Sequence, residues 1–374
     1  MSTTPIPAQQ ISALLSSRIA AGDFPSAVYL ITERGRPVIA DALGNAVVEP
    51  YRIAASQQTI YDLASLTKAL VTGLLCAHRI QEGELALDSA VAQYLTEFER
   101  TDKHIITLRH LLTHTSGLPA WRPLYILAEG ERDRALSVIA NEDLAYQPGT
   151  RVVYSDLGFI ILGFLLDQLT GVQISELARA EIFEPLGLQN TFFNPEIAMQ
   201  TGIAACETGN AYERATAREM GTPNYDRWRE NLIWGEVHDG NAHFLGGAAG
   251  HAGLFSTANE TARIAAQFLA AQSKTLSPPT CELFRTNMTA GLEEARSIAW
   301  QLAATSGSAA GPALPPDSFG HSGFTGTSCW IDPHRERVFV LLTNRTHARS
   351  LPFANINSVR REFHRLAVAA LPSL

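Results

Sequence analysis

Strand-like patterns lie near both ends of this 374-residue chain, and the long stretch between them is patterned as helices. Four runs rich in β-branched and aromatic residues pair into two hairpins, one around Gly35 and one around the turn at 332–335. The runs are Ala27–Thr32, Val38–Leu43, Ser328–Ile331 and Val338–Thr343. Because short hairpin links join antiparallel strands, both hairpins predict antiparallel pairing.

The helical patterns complete the expected order of elements. Apolar residues at helical spacing predict a first helix that stops at Gly22, a second from Ser65 to about Ile80, and a terminal helix around Phe363. Further helices are predicted at Leu108–Leu112, Phe159–Leu169, Ser175–Phe183 and from the capping box Thr257–Glu260 to about Ala270, with a fifth strand at Ile298–Leu302.

This order of elements predicts an α+β fold. An antiparallel sheet, assembled from both chain ends and flanked by their helices, would carry an all-helical region as an insertion. We expect residues 1–62 with 290–374 to form the sheet-containing domain and residues 63–289 to form the mainly helical domain.

Charge and composition argue against several classes of protein. The formal net charge of −8 and the pI of about 5.8 disfavour binding to nucleic acid or an anionic membrane, since both favour a basic surface. The longest apolar block, Leu157–Leu165, has about half the length of a membrane span. The N-terminal sequence has no basic region followed by an apolar run, so we expect a cytoplasmic protein. The four cysteines form no C-x-x-C pair and are expected to be reduced thiols.

The sequence D-L-A-S-L-T-K at 62–68 places Ser65 three residues before Lys68. Residues three apart on a helix share a face, so a hydroxyl would lie beside an amine. A serine hydroxyl becomes a strong nucleophile only when a base takes its proton, and a nearby amine is one such base. Alone, this spacing is weak evidence, because an isolated one is more often part of a solvated helix face.

Two later motifs change the interpretation of Ser65 and Lys68. Y-S-D at 154–156 precedes an apolar helix, and H-S-G at 321–323 precedes a C-terminal strand. In order and spacing, the three motifs resemble the S-x-x-K, Y-x-N and K/H-x-G boxes of the penicillin-recognising serine hydrolases. The most similar branch is that of the class C β-lactamases, which also holds DD-peptidases, D-aminopeptidases and family VIII esterases. The resemblance extends from about residue 27 to residue 344 and includes "LLTHTSGLP" at 111–119 and "GHAGLFSTA" at 250–258.

The resemblance implies an active site where the helical region meets the sheet. Ser65 would attack the substrate carbonyl and become acylated, while Lys68 and Tyr154 together act as the general base. Backbone N–H groups of Ser65 and Phe324 would form the oxyanion hole. The implied substrate-binding residues are Asp156, His321, Ser322 and Gly323. The substrate would be a small ester, amide or β-lactam, and no metal or organic cofactor is implied.

Two positions depart from the lactamase pattern. Asp156 stands where lactamases usually carry Asn, and an ionised carboxylate accepts hydrogen bonds but cannot donate one to an acyl-amide oxygen. If it lies near Lys68, it should also favour the protonated amine and shift the role of base towards Tyr154. His321 replaces Lys, and a neutral imidazole that titrates near neutrality is a weaker anchor for a substrate carboxylate. Both changes favour small esters or peptide-like substrates over β-lactams.

A His- and Gly-rich stretch at 235–253 is open to two interpretations. His238, Asp239, His243 and His251 offer donors for a metal, whereas Gly246, Gly247 and Gly250 would allow the tight turns of a structural, cleft-lining loop. At the level of the whole chain, the alternative to an enzyme is a binding or sensor protein that acylates slowly or not at all. A chain that keeps serine, lysine and tyrosine together favours the enzyme.

Overall fold

A computed structural model of the protein describes residues 6–99, 101–222 and 224–371. Its main feature is a seven-stranded antiparallel sheet in the order β3-β2-β1-β9-β8-β7-β6. Two further short strands, β4 and β5, pair separately beside it. The strands are β1 Ser26–Glu33, β2 Arg36–Val47, β3 Ile53–Ala54, β4 Tyr61–Asp62, β5 Phe255–Ser256, β6 Gln301–Leu302, β7 Phe319–Ser322, β8 Ser328–Asp332 and β9 Arg337–Thr343.

Helices surround the sheet and fill the middle of the chain. The α-helices are α1 Ile6–Ala20, α2 Leu74–Gln81, α3 Leu108–Leu112, α4 Leu124–Leu127, α5 Ala135–Ala140, α6 Asp156–Thr170, α7 Ile174–Ala178, α8 Ala211–Glu219, α9 Gly240–Phe244, α10 Ala258–Ala265, α11 Pro278–Glu282 and α12 Asn357–Ala370. Two segments are π-helical. Lys68–Gly73 leads into α2, and Arg179–Phe183 continues from α7. Within the described residues, six short 3₁₀ segments lie between these helices.

Alternating side chains of the central strands are buried on opposite faces of the sheet, as a two-residue period requires. Tyr29 and Phe339 belong to the core beneath α1 and α12, which pack on each other across the same face. Val28 and Val340 point the other way, into the larger core that includes α10 and the helical region. The sheet is therefore covered on both faces, and it joins the two ends of the chain.

The α+β prediction is confirmed, with differences at the ends of elements. Both hairpins and the helices predicted around 108–112, 159–169 and 175–183 form as expected. The fifth predicted strand is reduced to β6, and the H-S-G sequence begins inside an additional strand, β7. Helix α10 begins after Thr257, which caps it, but Glu260 accepts hydrogen bonds from backbone N–H groups at 189 and 190 instead of completing the capping box. The domain boundaries at 62 and 289 stay a prediction.

Helix α6 is the most apolar helix of the inserted region and carries Asp156 as its first residue. Within the described ranges no single helix has the length and composition of a membrane span. Helix α6 and the helical residues Ile174–Phe183 pass such a test only as a pair, which is bent by 78°. All four cysteines are buried, unpaired thiols.

Gly320 provides a test of the sheet packing. It lies opposite Trp330 in the β7–β8 register, and a Cβ on Gly320 would lie 2.1 Å from the fully buried indole ring. We expect Gly320→Ala to lower the free energy of unfolding by about 1–3 kcal/mol, because a close-packed core cannot take the extra methyl group. Urea unfolding measures this. Gly202→Ala is the control, since a Cβ there meets nothing within 4 Å; an equal loss in both variants would contradict this account of the packing.

Candidate active site

Ser65 lies in the turn between β4 and the π-helical segment, and it is the one residue of 61–70 that is not buried. Asp62 shapes this turn, because its carboxylate accepts hydrogen bonds from the N–H groups of Ala64 at 2.8 Å and His238 at 2.7 Å. Ala64 has a φ of 48°, a left-handed conformation that is unusual for alanine and is held here by its neighbours. The backbone therefore presents the Ser65 side chain at the surface of an otherwise buried segment.

Lys68 follows one turn later, and its side chain has no exposure to solvent. Its Nζ atom lies 3.0 Å from Ser65 Oγ, 2.9 Å from the carbonyl oxygen of His251 and 2.7 Å from Asp156 Oδ1. The contacts with Ser65 and His251 are hydrogen bonds and the contact with Asp156 is an ion pair, so all three suit the protonated amine. The sequence predicted that Ser65 lies beside Lys68, and it left open whether Asp156 lies near the lysine. Both contacts are present in the structure.

Tyr154 completes this cluster. Its hydroxyl is close enough to Ser65 and Lys68 for both to affect its pKa, and Lys68 Nζ lies 5.1 Å from the centre of its ring. The next residue, Ser155, caps α6 by accepting a hydrogen bond from Gly158 N–H, which fixes the direction in which the helix starts. Asp156, at the first position of α6, lies where the helix dipole favours a negative charge.

His114 packs against Tyr154, a contact that the sequence did not predict. Its Nδ1 accepts a hydrogen bond from Ser155 N–H at 3.0 Å, and its backbone carbonyl accepts one from Val153 N–H at 2.9 Å. The imidazole ring stacks between Tyr154, at 4.5 Å, and Phe159, at 5.1 Å. The "THTSG" sequence was visible as a motif, but its contact with a segment 40 residues later was not.

Protonation of the Lys68–Tyr154 pair follows from these surroundings. Burial lowers the pKa of Lys68, but the negative charge of Asp156 and the contact with Tyr154 outweigh it, so the pKa lies above its usual value. Burial raises the pKa of Tyr154, and the charge on Lys68 only partly opposes this. Near neutral pH the cluster therefore holds an ammonium group and a neutral phenol, and the two titrate as one system.

The turn that follows the H-S-G sequence is hydrogen-bonded to the backbone just before Ser65. Thr325 and Thr327, in the turn after it, donate side-chain hydrogen bonds to the carbonyl oxygens of Asp62 at 2.8 Å and Leu63 at 3.0 Å. Gly323 permits this approach, because a Cβ there would lie 2.5 Å from the Leu63 carbonyl oxygen. The sheet and the nucleophile turn are thus joined at this point.

The predicted oxyanion hole has the donors that such a site needs. Among the described residues, the backbone N–H groups of Ser65 and Phe324 donate no hydrogen bond within the protein. Two such donors near a nucleophile are suited to a developing negative charge. The assignment of these two groups as an oxyanion hole stays a prediction.

His321 differs from expectation in its titration. It is buried, its Nδ1 donates a hydrogen bond to the Ser322 carbonyl at 3.0 Å, and its ring lies 5.7 Å from that of Tyr154. Burial and the nearby positive charges of Lys68 and Arg296 hold the pKa of His321 well below its usual value. The prediction that it titrates near neutrality is therefore wrong, because the imidazole stays neutral throughout that range.

Arg296 is a site residue that sequence reasoning missed. Its guanidinium lies 5.7 Å from the centre of the Tyr154 ring, and its Nε and Nη2 atoms bind Glu294. The buried Nη1 atom has no hydrogen-bond partner among the described residues. Arg296, Tyr154, His321 and Ser322 line one cavity of about 320 Å³. No motif surrounds Arg296 in the sequence, so only the fold reveals its position.

The His- and Gly-rich stretch lines this site but does not gather metal ligands. His238 pairs with Glu207 at 2.7 Å, and His251 pairs with Asp239 at 2.9 Å. Within the described ranges, no three His, Cys, Asp or Glu side chains are grouped so that they could hold a metal ion. Gly246 and Gly247 have positive φ values, as expected for turns, whereas Gly250 serves close packing instead.

Comparison with known proteins agrees with the geometry. The family profile described as Beta-lactamase matches residues 11–359, and the chain belongs to this family of serine hydrolases. A protein of Escherichia coli (strain K12), named "Putative D-alanyl-D-alanine carboxypeptidase", is 30% identical over 369 residues, covering 91% of this chain and 82% of that protein. A Bacillus subtilis (strain 168) protein, named "N-acetylmuramyl-L-alanine amidase", is also 30% identical, covering 91% and 81%.

Solved structures share the fold at lower identity. The structure titled "EstCE1, a hydrolase with promiscuous acyltransferase activity" superposes with a TM-score of 0.73 and 23% identity, covering 96% of this chain and 98% of the other. Together with the family match, this makes the protein an enzyme of the β-lactamase and penicillin-binding-protein type.

The ion pair of Asp156 with Lys68 gives a pH-dependent prediction. Removing the carboxylate charge lowers the pKa of Lys68 and that of Tyr154, because Asp156 raises both. We therefore expect Asp156→Asn to move the rising limb of the kcat/KM profile for p-nitrophenyl acetate to lower pH by about 1–3 units. A profile that keeps its wild-type position, in a variant that unfolds normally, would contradict the proposed coupling.

Proposed function

We propose that this protein hydrolyses small acyl substrates, chiefly esters, through an acyl-enzyme on Ser65. The observation that carries the proposal is the cluster of Ser65, Lys68, Tyr154 and Asp156, in which the hydroxyl of a half-buried serine lies 3.0 Å from a buried amine. A serine beside a coupled amine and phenol is the arrangement that nucleophilic catalysis requires. A protein that only binds its ligand has no use for this buried charge.

The proposed reaction starts when the coupled pair loses one proton. Tyr154 is then a phenolate stabilised by the Lys68 ammonium, and it takes the proton of Ser65 as Oγ attacks the substrate carbonyl carbon. The negative charge on the carbonyl oxygen is received by the N–H groups of Ser65 and Phe324. Tyr154 returns the proton to the leaving oxygen as the ester bond breaks. Water then repeats the sequence on the acyl-enzyme and releases Ser65.

Esters are favoured over β-lactams by the state of Asp156. Its carboxylate is paired with Lys68 and accepts hydrogen bonds only, so it cannot donate to an acyl-amide oxygen. An ester also needs less help from a proton donor, because an alkoxide leaves more readily than an amide nitrogen. We expect β-lactams to be hydrolysed only weakly.

A second candidate substrate is a peptide that ends in a carboxylate, such as D-alanyl-D-alanine. Arg296 supports this, because it lines the cavity beside Ser322 and its buried Nη1 has no hydrogen-bond partner among the described residues, and a guanidinium group suits a carboxylate. The name of the Escherichia coli relative, a putative D-alanyl-D-alanine carboxypeptidase, points to the same class. In this candidate, Arg296 supplies the charge that neutral His321 lacks.

The assignment of Ser65 is tested by covalent labelling. We expect a fluorophosphonate to add one adduct mass to the wild-type protein and none to Ser65→Ala, because only an activated serine is phosphonylated. Intact-protein mass spectrometry measures both. An unlabelled wild type, beside a labelled control hydrolase, would favour the non-catalytic binding protein. Labelling that persists in Ser65→Ala would locate the nucleophile elsewhere.

The role of Arg296 is tested by comparing two substrates. We expect Arg296→Gln to raise KM for a D-alanyl-D-alanine peptide by about 10- to 100-fold, the effect of one charge-assisted hydrogen bond. KM for the uncharged p-nitrophenyl acetate should stay unchanged. Equal effects on both substrates would contradict a carboxylate-binding role, and so would wild-type protein that cleaves the ester but never the peptide.

A further inference from the structure

The segment 250–254 runs along the turn that carries Lys68 and is bonded to it at three levels. Thr72 Oγ1 donates to the Gly250 carbonyl at 2.6 Å, and Lys68 Nζ donates to the His251 carbonyl at 2.9 Å. Leu254 N–H donates to Thr67 Oγ1 at 3.1 Å. The hydrogen bond from Lys68 to the His251 carbonyl is therefore the middle one of three hydrogen bonds that join the two segments.

Gly250 brings this segment close to α6 as well. A Cβ on Gly250 would lie 2.1 Å from the carbonyl oxygen of Phe159 and 2.8 Å from Gly163 N. Helix α6 begins with Asp156, the second partner of Lys68. The segment is thus wedged between the two elements that supply the lysine and its carboxylate, so its position affects the geometry of both.

One side-chain pair fixes the segment at His251. The His251 ring is fully buried, and its Nε2 lies 2.9 Å from Asp239 Oδ1. The same carboxylate oxygen accepts a hydrogen bond from Ala242 N–H at 2.8 Å and caps α9. Asp239 therefore ties His251 to the start of a helix, and the His251 backbone in turn holds Lys68.

This pair is not explained by stability alone. His251 is fully buried and the Asp239 side chain is 21% exposed, and removing such a pair from water incurs a desolvation penalty that offsets much of their attraction. The Asp239 side chain contacts the His251 ring and accepts a hydrogen bond from Ala242 N–H of α9, whereas the contact with Lys68 is made by the His251 carbonyl. The pair is therefore suited to fixing the direction of the His251 carbonyl and its distance from Lys68 Nζ.

We propose that Asp239 and His251 are positioning residues for Lys68, which orient the His251 carbonyl so that the ammonium group is held against Ser65. The proposal rests on the proposed function of Ser65 and Lys68 and goes beyond it by assigning a role to the His- and Gly-rich stretch. The pair does not contact the substrate. It keeps Nζ within reach of Oγ, where a displacement of about 1 Å can lower the rate by up to about 100-fold.

The test is the substitution Asp239→Ser, since serine caps a helix as well as aspartate but is too short to reach His251. We expect kcat for p-nitrophenyl acetate to fall by up to about 100-fold while KM stays unchanged. His251→Gln should retain most of the activity, because its amide N–H can reach the position of Nε2. The matched control is Glu181→Ser, which truncates the carboxylate paired with buried His78 in a helical segment that carries no site residue.

The same substitution in a Lys68→Ala variant distinguishes a positioning role from a general loss of structure. In Lys68→Ala, the further change Asp239→Ser should leave the residual rate unaltered, because the group to be positioned is gone. The proposal is overturned if Asp239→Ser lowers that residual rate by the same factor as in the wild type, or if its kcat equals that of Glu181→Ser. A wild-type protein without ester activity or a serine adduct would instead overturn the proposed function.

Discussion

The burial of one ammonium group is the constraint on which the rest of the structure depends. Lys68 has no solvent exposure, and the effective cost of placing such a charge in a protein interior is several kcal/mol unless it is paired and hydrogen-bonded. Its partners come from its own turn, from the start of α6 and from the carbonyl of His251. Three segments that are far apart in the sequence must therefore assemble before the lysine has its partners, and the same assembly would activate the serine in the proposed reaction.

The sheet positions the side of the site that holds the predicted oxyanion donors. Its strands come from residues 26–54 and 301–343, and β1 pairs with β9, so the two ends of the chain must meet to complete the sheet. The turn at 323–327 is then bonded to the carbonyl groups of residues 62 and 63. A rigid sheet thus sets where the predicted oxyanion donors lie relative to Ser65, while the helical region sets the lysine, the phenol and the carboxylate.

Much of this arrangement could be predicted from local patterns. The hairpins, the helix around 159–169 and the Ser65, Tyr154 and H-S-G motifs are encoded in short windows, where periodicity and spacing carry the information. Contacts between distant segments could not be predicted in this way. Arg296 has no motif, and the pairing of Asp239 with His251 depends on how a glycine-rich loop folds.

The titration of His321 and the use of Glu260 were missed for a related reason. A pKa depends on burial and on neighbouring charges, and neither is visible in a three-letter motif. Glu260 matched the capping box, yet backbone N–H groups at 189 and 190 offered it partners that a local pattern cannot anticipate. The sequence motifs therefore located the chemistry, whereas its protonation states and supporting contacts required the fold.

The central claim is that Lys68 is an ammonium group in the resting enzyme and that Tyr154 receives the serine proton. The most direct measurement is NMR of protein labelled with ¹⁵N at lysine side chains, with the Lys68 signal assigned by its loss in Lys68→Arg. We expect the chemical shift of a protonated amine at pH 7, titrating only above the ordinary range of lysine, because Asp156 and Tyr154 raise its pKa. A neutral amine at pH 7 would contradict the account and return the role of base to Lys68.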